Sequence, residues 1–254
     1  MQIETQKNIP FFLLVGQSNI AGRGFISEIG ENNNLQVENV FRMNHQGEYV
    51  RADLMLQDLD DRFFPRKDNN EFVGPGLFFA EHIKKSFLKD HFGLVLCARG
   101  GCGLGTWLDK RNGLYLETIR RAKKAQHYGP CLGILIYIGE ADTKTQQDAQ
   151  QWPDRFETFI GDIKSDLDLD HVPIVFAQLA SIGDHMRQSV PHGYKYWEEV
   201  QALQERYIAN NVEMIRTDDL ALNPDGLHVS AKGQIEIGKR YAEVMSRSLS
   251  KNRP

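Results

Sequence analysis

Hydrophobic residues along this chain gather into five short, nearly unbroken runs, Phe11–Val15, Leu94–Ala98, Leu132–Ile138, Ile174–Leu179 and Val212–Arg216, with Val37–Met43 a weaker sixth. Runs of this length that do not alternate with polar residues are expected of strands covered on both faces. Between them, apolar positions recur at helical spacing over Gly76–Lys89, Tyr115–His127, Trp152–Leu167, Tyr194–Ala209 and Ala231–Ser248. Strand–helix alternation predicts an α/β fold with a mostly parallel sheet and helices on both sides. Ligands of such sheets bind beyond the carboxyl ends of the strands, so the polar residues that follow each run are the ones to read for chemistry. Gly24–Val73 breaks the pattern. With Asn32–Asn34, the acidic stretch Asp58–Asp61 and Pro65–Asn70, it reads as one or two long loops over the site. No repeat or linker divides the chain, and residues 1–254 are expected to form one domain.

Composition narrows the function classes. The 41% hydrophobic and 25% charged content over 254 residues is that of a soluble globular protein. A net charge of −4, without any Lys/Arg block, leaves no electrostatic footprint for nucleic acid. No apolar run is long enough to span a bilayer, so no membrane role is expected. Phe11–Val15 is too short for the apolar region of a secretory leader, and the chain as given reads as cytoplasmic; a leader removed beforehand would change that. Cys97, Cys102 and Cys131 are odd in number and lack CxxC spacing. The eight histidines show neither HxxxH nor HExxH. No metal site is therefore expected.

Four polar motifs follow the strand candidates. Gly16–Gln17–Ser18–Asn19, ahead of Ala21–Gly22–Arg23–Gly24, delivers a serine at a strand tip; a helix cap or turn is the plainer use of such residues. Arg99–Gly100–Gly101–Cys102–Gly103–Leu104–Gly105–Thr106–Trp107 allows close backbone approach to a ligand but does not fit a phosphate loop. Trp107 reads equally as a wall against a sugar ring and as core. Gly139–Glu140–Ala141–Asp142 carries two carboxylates, read as supporting groups rather than acids or metal ligands. Asn223–Pro224–Asp225–Gly226–Leu227–His228 sets an aspartate three residues before a histidine, close enough to fix the imidazole tautomer. Nucleophile, base and orienting carboxylate are thus all present in one chain.

In this order the motifs resemble those of the SGNH hydrolases, and within them the carbohydrate esterase branch of acetylxylan esterases and sialate O-acetylesterases. The resemblance runs from residue 11 to about residue 245. It implies a flavodoxin-like three-layer α/β/α sandwich, with Ser18 as nucleophile, His228 as general base and Asp225 orienting it. It implies oxyanion donors at the Ser18 and Gly101 N–H groups, an acetylated carbohydrate as substrate, and neither a metal nor an organic cofactor. Gln17, Asn19, Arg23, Trp107, Tyr137 and Glu140 are further candidates for supporting the site or binding substrate. A homo-oligomer is left open.

The third motif departs from the family pattern. Ile138 stands where a glutamine usually precedes Gly-Glu and donates to the oxyanion, and Cys102 replaces a small hydroxyl residue. Loss of one oxyanion donor costs about 100- to 1000-fold in turnover. An alternative follows, a carbohydrate-binding protein weakened in catalysis, with Tyr137 or another residue as the substitute donor in an active enzyme.

Overall fold

The computed structural model describes residues 8–30, 35–58, 60–66, 72–88, 90–188 and 193–251. The strands are β1 (Phe11–Gly16), β2 (Gly24–Phe25), β3 (Val40–Met43), β4 (Tyr49–Arg51), β5 (Phe72–Val73), β6 (Phe92–Ala98), β7 (Cys131–Tyr137), β8 (Ile174–Ala177) and β9 (Val212–Ile215). The helices are α1 (Ser18–Ala21), α2 (Gly76–Ser86), α3 (Leu104–Leu108), α4 (Leu114–Gln126), α5 (Gln146–Gln150), α6 (Trp152–Leu167), α7 (Asp184–Gln188), α8 (Trp197–Arg206) and α9 (Ala231–Lys251).

Seven strands form one sheet in the order β4-β3-β6-β1-β7-β8-β9. Only β4 runs antiparallel to its neighbour. Each of the five strong apolar runs supplies a parallel strand, and every residue of β1 and β6 is buried. Successive side chains of β1 serve opposite faces. Phe12, for example, meets Phe79 of α2 edge-on at 4.8 Å. On that face α2 packs along α9, whose apolar stripe (Ile237, Tyr241, Ala242, Met245) recurs every three or four residues. A second helical group joins α4, α6 and α8. The architecture is a three-layer α/β/α sandwich.

The central strand sets the location of the site. β1 pairs with β6 on one side and β7 on the other, so the chain leaves it in opposite directions, and the crevice opens at its carboxyl end. Gly16 ends β1 with φ +146°, and a Cβ there would lie 2.0 Å from the Tyr137 carbonyl oxygen. Only glycine lets the chain turn that close to β7.

Within the 24–73 segment the weaker run Val37–Met43 supplies β3 (Val40–Met43), and the rest is more ordered than long loops alone. β3 extends the sheet beyond β6, β4 closes its edge, and β2 pairs with β5 as a separate ribbon. These strands are two to four residues long and β3 is only half-buried in its middle, so their hydrophobic signal is short and diluted. Asn32–Asn34 and most of Pro65–Asn70 lie outside the described residues. What does lie over the site is the stretch ending at Pro65, held by a buried ion pair between Arg121 of α4 and Asp61 at 2.7 Å. Burial pushes the Asp61 carboxyl up, but hydrogen bonds from Arg121 and from the Phe64 and Phe63 N–H groups outweigh it and hold the group below its usual range. No helix among the described residues is long and apolar enough to cross a membrane.

Candidate active site

Ser18 opens α1 immediately after the Gly16–Gln17 turn, and His228 lies in the loop that leads into α9. The fold closes 210 residues of separation to 2.9 Å between Ser18 Oγ and His228 Nε2. His228 Nδ1 lies 2.6 Å from Asp225 Oδ2. A carboxylate only accepts, so Nδ1 carries the proton and Nε2 is left to accept from the serine hydroxyl. Asp225 Oδ1 takes the Leu227 and His228 N–H groups at 2.9 and 3.0 Å, which locks the turn between acid and imidazole. Burial raises the Asp225 carboxyl, yet hydrogen bonds from the His228 N–H and ring and from the Leu227 N–H hold it below the usual carboxylate range.

Behind this row sits a buried polar layer. Asn19 accepts the Val229 N–H at Oδ1 (3.0 Å) and donates from Nδ2 to Glu140 Oε1 (3.0 Å). Gln17 Oε1 accepts the Gly139 N–H at 2.9 Å. Asp142 accepts the Leu104 N–H at 2.9 Å, tying the β7 loop to α3. Desolvation pushes both the Glu140 and the Asp142 carboxyl up to about 7. These contacts place Gln17, Asn19 and Glu140 behind Ser18 and His228, outside the cleft lining.

In front is a cleft of about 380 Å³ lined by Ser18, His228, Arg23, Arg99, Tyr194 and Gly101, with Pro65, Ala98, Gly100 and Leu227 completing its wall. None of these residues is acidic, and two carry guanidinium groups. Arg99 is anchored to the 52–66 stretch by donating to the Phe63 carbonyl at 3.1 Å. Among the described residues, no backbone acceptor takes the N–H of Ser18 or of Gly101. Gly101 has φ +76°, a left-handed conformation that suits glycine.

Three expected positions fall elsewhere. Trp107 is fully buried, stacked on Phe64 at 5.9 Å and edge-on to Phe159, so it is core and not a sugar wall. Tyr137 is also buried, its hydroxyl accepting the Ala180 N–H at 3.0 Å, and it cannot replace an oxyanion donor. Ile138 is 1% exposed and contributes nothing to the cleft wall; its carbonyl accepts from Gln204. Of the candidates for supporting the site or binding substrate, only Arg23 is among the residues that line the cleft. Arg99 and Leu227 lie inside motifs already singled out, but sequence reasoning passed over them for their glycine, aspartate and histidine neighbours. Tyr194 carried no local signal, whereas Pro65 belongs to the segment expected to lie over the site. His185 reaches the Asp225 carbonyl at 2.9 Å, while His192 lies outside the described residues. No group of three or more potential metal ligands occurs among the described residues.

The family described as carbohydrate esterase, sialic acid-specific acetylesterase matches residues 8–247. A probable carbohydrate esterase of Arabidopsis thaliana is 28% identical over 253 residues, covering 95% of this chain and 93% of that protein. The X-ray structure of an Arabidopsis thaliana protein superposes with a TM-score of 0.78 at 25% identity, over 96% of this chain and 99% of that one. Two further structures share the fold. NanS has a TM-score of 0.71 at 16% identity, over 98% of this chain and 100% of its own. A carbohydrate acetylesterase from Xanthomonas citri has a TM-score of 0.67 at 18% identity, over 96% of this chain and 57% of its own. The chain belongs to the carbohydrate esterase, sialic acid-specific acetylesterase family, and it is a carbohydrate O-acetylesterase.

Proposed function

We propose that this protein removes O-acetyl groups from a sugar through an acetyl-Ser18 intermediate. The reading rests on one observation, the unbroken chain from Ser18 Oγ to His228 to Asp225 at the mouth of the cleft. Ser18 Oγ attacks the acetyl carbonyl carbon while His228 Nε2 takes its proton. The charge that develops on the carbonyl oxygen is met by the open N–H groups of Ser18 and Gly101. Collapse breaks the bond to the sugar oxygen, which leaves as a hydroxyl with the proton from His228. Water then repeats the sequence on acetyl-Ser18, releasing acetate and restoring the serine.

Within the acetylated carbohydrates, the cleft favours a sugar that bears a carboxylate. Arg23 and Arg99 are both among its lining residues, as would suit an acetylated sialic acid of the kind the family name describes better than neutral acetylxylan. The complete triad gives a binding-only protein no support.

Acetate release is the test, measured on p-nitrophenyl acetate, acetylated xylo-oligosaccharides and an O-acetylated sialic acid, with Ser18→Ala as control. Serine-dependent release with a preference for the acidic sugar is expected. Equal turnover by Ser18→Ala would remove the mechanism, and a preference for acetylxylan would remove the assignment of substrate.

A further inference from the structure

Ser18 and His228 belong to loops from opposite ends of the chain, and a hydrogen bond of 2.9 Å between two rotatable side chains does not hold two loops in register by itself. The described structure contains a second link between the same loops. Asn19 follows Ser18 and Val229 follows His228, and the Asn19 Oδ1 accepts the Val229 N–H at 3.0 Å. Backbone and side chain thus close a ring: Ser18 to Asn19 by peptide bond, Asn19 to Val229 by hydrogen bond, Val229 to His228 by peptide bond, and His228 back to Ser18.

The link works only if the Asn19 carboxamide faces one way. Rotated by half a turn, it would present its NH2 to the Val229 N–H, donor against donor. What sets the orientation is Glu140 at the end of β7, whose Oε1 accepts from Asn19 Nδ2 at 3.0 Å. Glu140 is itself fixed at its main chain, since its carbonyl accepts from the Thr143 hydroxyl at 2.8 Å and the preceding Gly139 N–H is held by Gln17. Its residue is only 4% exposed, and among the described residues its Oε2 has no hydrogen-bond partner. A buried carboxyl with one oxygen unpaired is a costly group to keep for packing alone.

We infer that Glu140 is a positioning residue for the ester cleavage, acting through the Asn19 amide to hold the His228 loop at attack distance from Ser18. The inference rests on the function proposed above and adds to it a residue that touches neither substrate nor the reacting atoms. Desolvation pushes the Glu140 carboxyl up to about 7, so near neutral pH a glutamine is a close stand-in, keeping an acceptor for Asn19 Nδ2.

The test compares wild type, Glu140→Leu, Glu140→Gln and Asn19→Ala in steady-state kinetics on p-nitrophenyl acetate, with amide exchange of Val229 read in parallel. Glu140→Leu is expected to lower kcat by about 100-fold with KM within about twofold, the size of effect a misplacement of about 1 Å produces. Faster Val229 exchange should accompany it, and Glu140→Gln should recover most of both losses. Asn19→Ala should match Glu140→Leu, and combining the two should add little more. That comparison also decides the case if the leucine variant fails to fold. Unchanged kcat in Glu140→Leu or in Asn19→Ala, with the wild type active through Ser18, overturns the inference and leaves the proposed function standing. Wild type without Ser18-dependent turnover overturns both.

Discussion

The two sides of the cleft are built on different plans. The Ser18–His228 side is made of side chains, each held by at least one group behind it: Asp225 on the imidazole, two N–H groups on Asp225, and Asn19 on the backbone next to His228. The Gly100–Gly101 side is backbone, with an N–H that no described acceptor takes and no side chain to orient it. Side chains with free rotations need scaffolding to stay at attack distance, whereas a backbone donor is already placed by its neighbours and needs only to be left unpaired. On the proposed mechanism, the acid–base half of the site is therefore costly in residues, and the oxyanion half costs little more than two glycines.

The largest effect should come from the scaffolded side. His228→Ala is expected to lower kcat by about 10⁴- to 10⁶-fold, read by single-turnover acetate release. Acid should act on the same group. Asp225 is held below the usual carboxylate range, so kcat/KM lost on acidification reports protonation of His228. Asp225→Asn should cost about 10⁴-fold through the wrong imidazole tautomer, with KM little changed. Gly101→Ala probes the other side. The added Cβ meets nothing within 4 Å, but φ +76° strains any L-residue, and the shifted N–H should lower kcat by about 10- to 100-fold. A loss as large as that of Asp225→Asn would show that the backbone side is as demanding as the side-chain side.

Two smaller effects sharpen the contrast. The Glu140 carboxyl is raised from 4.5 to about 7, so the native state binds more protons than the unfolded chain between those values. Stability from this group is complete below about pH 4.5 and is lost as pH rises through about 7. Glu140→Gln lacks that loss and should be more stable than wild type by about 1–3 kcal/mol at pH 8, with the gap closing near pH 4.5 in urea unfolding. Ile138→Gln should change kcat by less than about tenfold and lower stability by about 1–3 kcal/mol, because it buries an amide in the core. A larger gain in turnover would return Ile138 to the oxyanion side and redraw the comparison.

The apolar runs made the parallel sheet legible because a strand buried on both faces has almost no choice of residue type. The same reasoning missed β4, β2 and β5, whose few residues pair on one side or only with each other; it ran Tyr194–Ala209 past both ends of α8 (Trp197–Arg206) and ended the last helix at Ser248, short of Lys251. At the site, Ser18, Asp225 and His228 were readable because each belongs to a short motif whose spacing is local. Trp107, Tyr137 and Ile138 were misjudged for the opposite reason. They sit in or beside those motifs, but which face their side chains take depends on the layers packed against them.

By itself the sequence determined the strand–helix alternation, the local Asp225–His228 pairing and the absence of Lys/Arg blocks or long apolar spans, all properties of neighbours within a few residues. Only the tertiary structure decided that Asn19 would meet Glu140 and Val229, that Arg23, Arg99 and Tyr194 would share one cleft, and that Ile138 would turn inward. Those are contacts between residues up to 210 positions apart. Their partners are chosen by strand order and layer packing, which no local spacing encodes.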